Sequence, residues 1–199
     1  DIGRWTIHKA MREIMSLEQE TTLAINLSTV QFRSGDLVSI VREALTETGF
    51  KAQHLELEIT ESLLIEDSPT VEMQIDSLKE MGVAIALDDF GTGFSSLSYL
   101  WKYGFDRLKI DKSFVAALER NPKRSREIIE TVVMLGARLD MKITAEGVET
   151  KEQAELLSSL GCDILQGYYF GKAAPLSDLQ SKLIAANILR GTTPAIKKA

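Results

Sequence analysis

Short apolar-alternating runs and longer helical patterns alternate along the chain. In six runs every second side chain is apolar, which is the period of a β-strand. The segments between them carry apolar residues three and four positions apart, as amphipathic helices do. The predicted strands are Leu23–Ser28, Leu55–Thr60, Val83–Asp89, Arg107–Asp111, Lys142–Glu146 and Ile164–Tyr168. The predicted helices are Asp1–Leu17, Gly35–Glu47, Pro69–Met81, Ser96–Tyr103, Ser125–Asp140, Lys151–Leu160 and Leu176–Asn187.

This strand–helix–strand order predicts an α/β fold with parallel strands and right-handed crossovers. Six strands are two fewer than a closed eight-stranded barrel needs, so the periodicity alone leaves an open sheet as an alternative. The two faces of the strands favour the barrel. One face is apolar on nearly every strand, whereas the other is small or polar, with Glu56, Glu58 and Lys109 among its members. A doubly wound sheet needs apolar residues on both faces, but a barrel interior can hold a polar site.

Composition and charge narrow the classes of protein further. No Pro/Ser-rich linker divides the 199 residues, so we expect one domain, 1–190, followed by a flexible tail, 191–199. No apolar run approaches the roughly 20 residues that span a bilayer, and we expect no membrane contact by this segment. The lone Cys162 fits a reducing compartment, which predicts a cytoplasmic location. A net charge of −6 argues against binding to a nucleic acid duplex.

Polar residues recur toward the C-terminal ends of six predicted strands, all on the polar face. In barrels of parallel strands the active site lies at this edge. Carboxylates and amides dominate the set, which includes one lysine and neither histidine nor cysteine, so it favours Mg²⁺ or Mn²⁺ over Zn²⁺. The adjacent Asp88 and Asp89 could bridge two such ions. The six residues are Asn26, Glu58, Asp88, Lys109, Glu146 and Gln166.

Six motifs contain these residues, and they are Asn26–Ser28, Glu58–Glu61, Asp88–Gly93, Leu108–Asp111, Ala145–Glu149 and Gln166–Tyr168. In sequence and order they resemble the motifs of EAL-domain cyclic-di-GMP phosphodiesterases, and the resemblance runs from about residue 1 to 180. It implies a modified TIM (β/α)8 barrel, with about six of its strands in this chain. It also implies metal-dependent hydrolysis of cyclic di-GMP to linear pGpG.

The resemblance assigns a role to each matching residue. Lys109 matches a lysine that contacts the phosphate and the attacking water, and we expect it to be catalytic together with Asp89 and Glu146. Two Mg²⁺ or Mn²⁺ ions are implied. Their expected ligands are Asn26, Glu58 and Asp88 for the first ion, and Asp88, Asp89 and Glu146 for the second.

Further residues are assigned to the loops around the metals. Glu61 matches a glutamate that steadies the loop after Asp89, and Gln166 matches a residue that supports the water shell of the metals. The loop itself, with Gly91, Thr92 and Gly93, suits a mobile lid. The expected contacts with the substrate are Phe94, Ser95, Asp111 and Tyr168.

The sequence differs from the family pattern in the signature Glu-Ala-Leu tripeptide. Glu43-Ala44-Leu45 lies within a predicted helix after the Asn26 strand, with Glu43 off its apolar stripe, so we interpret it as unrelated to the site. We expect the true tripeptide, about two strands and a regulatory or GGDEF-type domain upstream of Asp1 in the parent protein. The isolated fragment should therefore be poorly active and should form a homodimer.

The sequence is also compatible with two other functions. A non-catalytic receptor for cyclic di-GMP is the main alternative, because the upstream Glu is not seen. An unrelated barrel acting on phosphorylated metabolites would need a phosphate-binding glycine loop after the penultimate strands, and Gly147 and Gly167 offer little of that.

The alternation also predicts a second polar layer below the site. Glu56, Arg107 and Lys142 should point inward, one strand repeat below Glu58 and Lys109. Because buried charges need partners, we predict that Glu56 bonds Arg107, Lys142 or both.

Overall fold

Six strands and nine α-helices are present in the part of the chain that the structure, a computed structural model, describes: residues 2–17, 21–33, 35–64, 69–93 and 97–178. The strands are β1 Leu23–Asn26, β2 Leu55–Thr60, β3 Ala84–Phe90, β4 Arg107–Ile110, β5 Lys142–Ala145 and β6 Ile164–Leu165. The helices are α1 Ile2–Ile14, α2 Thr29–Arg33, α3 Leu37–Thr48, α4 Glu61–Leu64, α5 Pro69–Glu80, α6 Leu97–Tyr103, α7 Lys112–Arg120, α8 Pro122–Arg138 and α9 Lys151–Ser159. No helix of these residues combines the length and apolar character that crossing a bilayer requires.

The strands form one parallel sheet in the order in which they occur along the chain, β1 to β6. Each new strand therefore adds to the same side of the previous one. In a doubly wound sheet the order of strand addition instead reverses at a switch point, where ligands bind. The consecutive order is that of a TIM-type barrel, so the predicted barrel-type α/β fold is confirmed.

The apolar face of the sheet packs against the helices, as the alternation predicts. Side chains of this face are buried in one continuous hydrophobic core that also includes residues of α1, α3, α5, α8 and α9. Its sheet members include Leu55, Leu57, Ile59, Ile85, Leu87, Leu108, Ile110 and Ile143. Because helices cover this face, the polar face is left for the interior of the barrel.

The predicted helices are largely confirmed, but three short ones, α2, α4 and α7, were not predicted. In α7 Val115 and Leu118 are buried on one side, so the helix is amphipathic although it was not predicted. The helix begins because the Asp111 side chain accepts a hydrogen bond from the Ser113 N–H at 3.0 Å. Most of the predicted helix Leu176–Asn187 and the predicted tail, 191–199, lie outside the described residues, and the domain boundary at 190 stays a prediction.

The Glu-Ala-Leu tripeptide lies in α3, away from the sheet interior. Ile40, Val41 and Ala44 are buried on one side of this helix, whereas the Glu43 side chain is 41% exposed. Its carboxylate pairs with Arg4 of α1, with 2.6 Å between Oε2 and Nη1. The predicted position of Glu43 off the apolar stripe is therefore confirmed.

Two aspartates extend the hydrogen-bond ladder of the sheet at the starts of strands. Asp106 precedes β4, and its Oδ2 accepts from the Ile85 N–H of β3 at 2.8 Å. Asp163 precedes β6 and accepts in the same way from the Ile143 N–H of β5, also at 2.8 Å. Each carboxylate thus accepts from a buried N–H group of the preceding strand, at a level where the following strand has not yet begun and offers no backbone carbonyl.

We expect Asp106→Ala to lower the free energy of unfolding by about 1–3 kcal/mol, because the buried N–H of Ile85 loses its acceptor. Urea denaturation measures the change. Asp76→Ala, on the exposed side of α5, is the control, with an expected change of about 0.5 kcal/mol or less. Equal destabilisation by the two substitutions would contradict the role of Asp106.

Candidate active site

The predicted polar residues meet at the C-terminal ends of the strands, around the ammonium group of Lys109. Its Nζ lies 2.5 Å from Glu58 Oε2, 2.7 Å from Glu146 Oε1 and 3.1 Å from Asp88 Oδ1. The lysine side chain is only 3% exposed. Strands β2, β3 and β4 and the end of β5 thus contribute to one buried charge cluster.

Burial and charge pairing act in opposite directions on this cluster. Burial would lower the pKa of Lys109, but hydrogen bonds to Glu146 and Glu58 raise the pKa above its ordinary value. Burial raises the pKa of Glu58 and of Glu146, the Asp88 carboxylate raises both further, and Lys109 lowers both. Lys109 is therefore a permanent cation that holds several carboxylates together.

Asp88 and Asp89 both belong to the site because β3 bulges between Leu87 and Phe90. In a regular strand adjacent side chains point to opposite faces. Here Asp89 has a positive φ of 56°, and its N–H donates to Asp88 Oδ1 at 3.0 Å. As a result, oxygen atoms of Asp88, Asp89 and Glu146 all lie within 4.8 Å of one another.

Asp89 is a residue whose orientation the alternation pattern misplaces. Strict period 2 would turn its carboxylate toward the helices, and only the adjacent pair of aspartates at a strand end indicated that both serve the site. Burial raises the pKa of Asp89, and the neighbouring Asp88 and Asp111 carboxylates raise it further. The raised pKa thus reflects burial and the excess of negative charge around this aspartate.

Asn26 closes the cluster on the β1 side. Oriented by its hydrogen-bond partners, its amide NH₂ donates to Glu58 Oε2 at 2.9 Å and to Asp88 Oδ2 at 3.3 Å. Rotation of the amide by 180° would direct its oxygen to the same place. The side chain can therefore donate to the carboxylates or offer an oxygen ligand without moving its backbone.

The donor chemistry of the cluster fits hard divalent cations. All the candidate ligands are carboxylate or amide oxygens, the set that Mg²⁺ and Mn²⁺ prefer. Three carboxylates, those of Glu58, Asp88 and Glu146, pair with Lys109, and the Asp89 carboxylate lies beside Asp88 and Glu146. The remaining negative charge is what bound cations would neutralise.

The loop after β3 lies next to a small cleft. Thr60, Glu61, Ser62, Asp89, Thr92 and Gly93 line this cleft. The buried carboxyl group of Glu61 lies against Gly93, where an added side chain would come within 3.5 Å of Glu61 Cδ. Gly91 has φ 92°, and an added Cβ there would meet the Phe114 ring at 2.8 Å. Thr92 Oγ1 donates to the Asp89 carbonyl at 2.9 Å.

The other predicted residues are less closely associated with the cluster. Asp111 is buried and caps α7, near enough to Asp89 to affect its pKa. Gln166 and Tyr168 are exposed after β6, and Lys172 Nζ lies 5.2 Å from the centre of the Tyr168 ring. The predicted contacts Phe94 and Ser95 lie outside the described residues.

The second polar layer is present below the cluster. Arg107 Nε donates to Glu56 Oε2 at 2.7 Å, so the predicted pairing of Glu56 with Arg107 is confirmed. The predicted inward position of Lys142, as an alternative partner of Glu56, is wrong. Its side chain is 63% exposed, and its Nζ pairs with Asp163 Oδ1 at 3.3 Å. Lys142 is the first residue of β5, so it lies at the open lower edge, where water and the capping aspartate compete for it.

An open arc of consecutive parallel strands with an acidic C-terminal edge defines the chain as a barrel-type α/β protein with a candidate metal centre. The family model described as the EAL domain matches residues 1–173, and the chain belongs to this family. It is 40% identical over 182 residues to the bifunctional diguanylate cyclase/cyclic di-GMP phosphodiesterase MucR of Pseudomonas aeruginosa, covering 89% of this chain and 26% of MucR.

Solved structures agree with this assignment. The PaMucR phosphodiesterase in complex with c-di-GMP superposes with a TM-score of 0.83 at 40% identity, covering 89% of this chain and 73% of that one. A manganese and c-di-GMP complex of Klebsiella pneumoniae BlrP1 gives a TM-score of 0.70 at 27% identity, covering 85% and 43%. The chain spans about a quarter of the length of the curated relatives that it matches.

We expect Lys109→Met to destabilise the metal-free protein by about 3–5 kcal/mol, because three carboxylates would lose their buried counter-ion. Denaturation in EDTA measures this loss. Added Mn²⁺ should raise the unfolding temperature of the variant more than that of the wild type, since a bound cation can replace the ammonium.

The matched control is Lys151→Met, which removes an exposed ion pair with Glu155 in α9. Its effect should be about 1 kcal/mol or less, with or without Mn²⁺. A Lys109→Met variant that is as stable as this control in EDTA would contradict the counter-ion role.

Proposed function

We propose that this chain forms the catalytic domain of a metal-dependent phosphodiesterase that hydrolyses cyclic di-GMP to linear pGpG. The observation that carries the proposal is the cluster of four carboxylates around Lys109 at the C-terminal edge of the strands. Relatives named as cyclic di-GMP phosphodiesterases, among them MucR, and solved complexes with c-di-GMP support the choice of substrate.

Two divalent ions, Mg²⁺ or Mn²⁺, would be held by the residues of this cluster. Bound ions of this kind lower the pKa of a coordinated water and neutralise charge on phosphate oxygens. The manganese complex of the related BlrP1 supports a divalent metal here. The ligands would be Asn26, Glu58 and Asp88 for one ion, and Asp88, Asp89 and Glu146 for the other.

The residues of the chain position the reacting groups. Lys109 stays cationic, so its ammonium can donate to a phosphate oxygen or to the attacking water. Asp89 and Glu146 are the carboxylates that would accept a proton from that water. The water oxygen forms a bond to one phosphorus while the bond from this phosphorus to the ribose 3′ oxygen breaks. The departing 3′ oxygen takes up a proton from solvent, and the opened ring is pGpG.

The surrounding loops complete the proposal. Glu61 would steady the loop of Gly91, Thr92 and Gly93, against which it packs. Gln166 would support the water shell of the metals from the end of β6. Substrate contacts are assigned to Asp111 and Tyr168, together with Phe94 and Ser95.

A receptor that binds cyclic di-GMP without cleaving it is the second candidate. The pairing of Lys109 with Glu58, Asp88 and Glu146 favours it, because these contacts give the cluster an internal cation when no metal is bound. A metal-independent receptor would need such compensation. An enzyme needs the metals as well, so the two functions differ in their response to divalent ions.

In the parent protein we propose a cytoplasmic domain connected to an upstream regulatory or GGDEF-type domain. The name of MucR combines diguanylate cyclase and phosphodiesterase in one protein, which supports this arrangement. The lone Cys162, a free and buried thiol, fits a reducing compartment.

In the intact parent protein we expect Asp88→Asn to abolish hydrolysis of cyclic di-GMP in Mn²⁺, because this carboxylate is assigned to both ions. The substitution keeps the shape of the side chain but removes its negative charge. Turnover is measured by chromatography of pGpG. Glu43→Gln in the exposed part of α3 is the matched control and should keep wild-type turnover.

Retention of turnover within about tenfold by Asp88→Asn would overturn the assignment of two ions to this residue. Binding of cyclic di-GMP by calorimetry separates the two candidate functions. Intact parent protein that binds the dinucleotide equally well in EDTA and in Mn²⁺, with no pGpG formed, would establish the receptor instead of the enzyme.

We also propose that the domain forms a homodimer through α6. Trp101 on this helix is 81% exposed, and tryptophan is among the residues most enriched in interfaces. Trp101→Glu should convert the dimer to a monomer in sedimentation equilibrium, with the fold retained. Unchanged mass for this variant, or a monomeric wild type, would contradict the α6 interface.

A further inference from the structure

The interior of the barrel contains two polar layers built on the same three strands. The upper layer is the site described above, with Glu58 on β2, Lys109 on β4 and Glu146 after β5. The lower layer is formed two residues earlier on each strand, by Glu56, Arg107 and Thr144. Because the strand repeat is two residues, each upper side chain stands directly above a lower one.

Small residues on β3 make room for both layers. β3 lies between β2 and β4, yet Glu56 and Glu58 reach across it to the cations of β4. The residues of β3 in register with these two glutamates are Ala84 and Ala86. A methyl group at these positions leaves space for a longer side chain to pass over the strand.

Arg107 connects three strands in the lower layer. Its Nε donates to Glu56 Oε2 of β2 at 2.7 Å, and its Nη1 donates to Thr144 Oγ1 of β5 at 3.2 Å. The side chains of Arg107 and Glu56 are 16% and 7% exposed. A planar guanidinium with two bonds in fixed directions constrains both neighbours, which a single ammonium would not do.

We propose that Arg107 is a positioning residue, which with Glu56 and Thr144 fixes β2 and β5 relative to β4 and so holds Glu58 and Glu146 at metal-binding distance. The inference deepens the proposed function and rests on its metal site. Residues that orient ligands without touching the metal commonly change metal affinity by about 10- to 100-fold.

The test measures Mn²⁺ affinity by calorimetry in the whole protein, with no substrate present. Arg107→Met should weaken Mn²⁺ binding at least about tenfold, since Glu56 loses its partner and β2 and β5 lose their connection to β4. Arg107→Lys keeps the charge opposite Glu56 but not the forked geometry, so it should recover part of the affinity. Thr144→Val removes only the hydroxyl acceptor and should weaken binding by a smaller factor, roughly threefold.

Two controls separate positioning from general stability. Lys142→Met breaks the exposed pair with Asp163 on the same strand β5 and should leave Mn²⁺ affinity unchanged. Ile129→Ala removes buried side-chain volume from α8 and lowers the unfolding temperature without touching either layer. When its loss of stability equals that of Arg107→Met, Ile129→Ala should bind Mn²⁺ within about twofold of the wild type.

Wild-type Mn²⁺ affinity in Arg107→Met would overturn the inference. An equal loss of Mn²⁺ affinity in Ile129→Ala, compared at the same stability as Arg107→Met, would also overturn it. If Arg107→Met does not fold, wild-type Mn²⁺ affinity in Thr144→Val would overturn it. Wild-type protein that binds Mn²⁺ but forms no pGpG would overturn the proposed reaction and leave this inference standing. Wild-type protein that binds no Mn²⁺ would overturn both.

Discussion

The mutual repulsion of four carboxylates in a small, largely buried volume is the constraint on which this structure depends. The ammonium of Lys109 stands between Glu58, Asp88 and Glu146 and offsets their repulsion. These carboxylates in turn offset the effect of burial on the pKa of that ammonium and raise it above its ordinary value. Each charge is thus a condition for the others, and the group is stable as a unit.

This dependence determines what the neighbouring strands must contain. A central cation can be reached from β2 only across β3, so the inward positions of β3 below the site must be small, and Ala84 and Ala86 occupy them. The same gap admits the Glu56–Arg107 pair below. Where β3 does carry acidic residues, it departs from regular geometry, and the positive φ of Asp89 brings two adjacent carboxylates to one side. Backbone strain of this kind, of order 1–3 kcal/mol, is typical of functional sites.

Much of the fold and of the site follows from side-chain alternation, which depends only on local geometry. Period 2 placed Glu58 and Lys109 on one face, and with the need for charge pairing it also predicted the contact between Glu56 and Arg107. It failed where the backbone departs from that period or a side chain lies at an edge. The inward orientation of Asp89 needs a bulge, and Lys142 at the start of β5 is exposed to water and to Asp163. Helix α7 is amphipathic, with Val115 and Leu118 buried, so its omission is an error of the prediction and not a lack of signal in the sequence.

A cluster that is neutralised in part by its own lysine has a consequence for metal binding. Carboxylates without a counter-ion would repel one another and spread apart, so that a metal would have to gather its ligands. Here Lys109 keeps Glu58, Asp88 and Glu146 together in advance, and the bulge does the same for Asp89. The ligands are therefore preorganised, while the charge that Lys109 leaves unbalanced still attracts cations. Under the proposed function Lys109 would have two roles in sequence, first as the counter-ion of the metal-free site and then as a donor to substrate once bound ions shared its carboxylates.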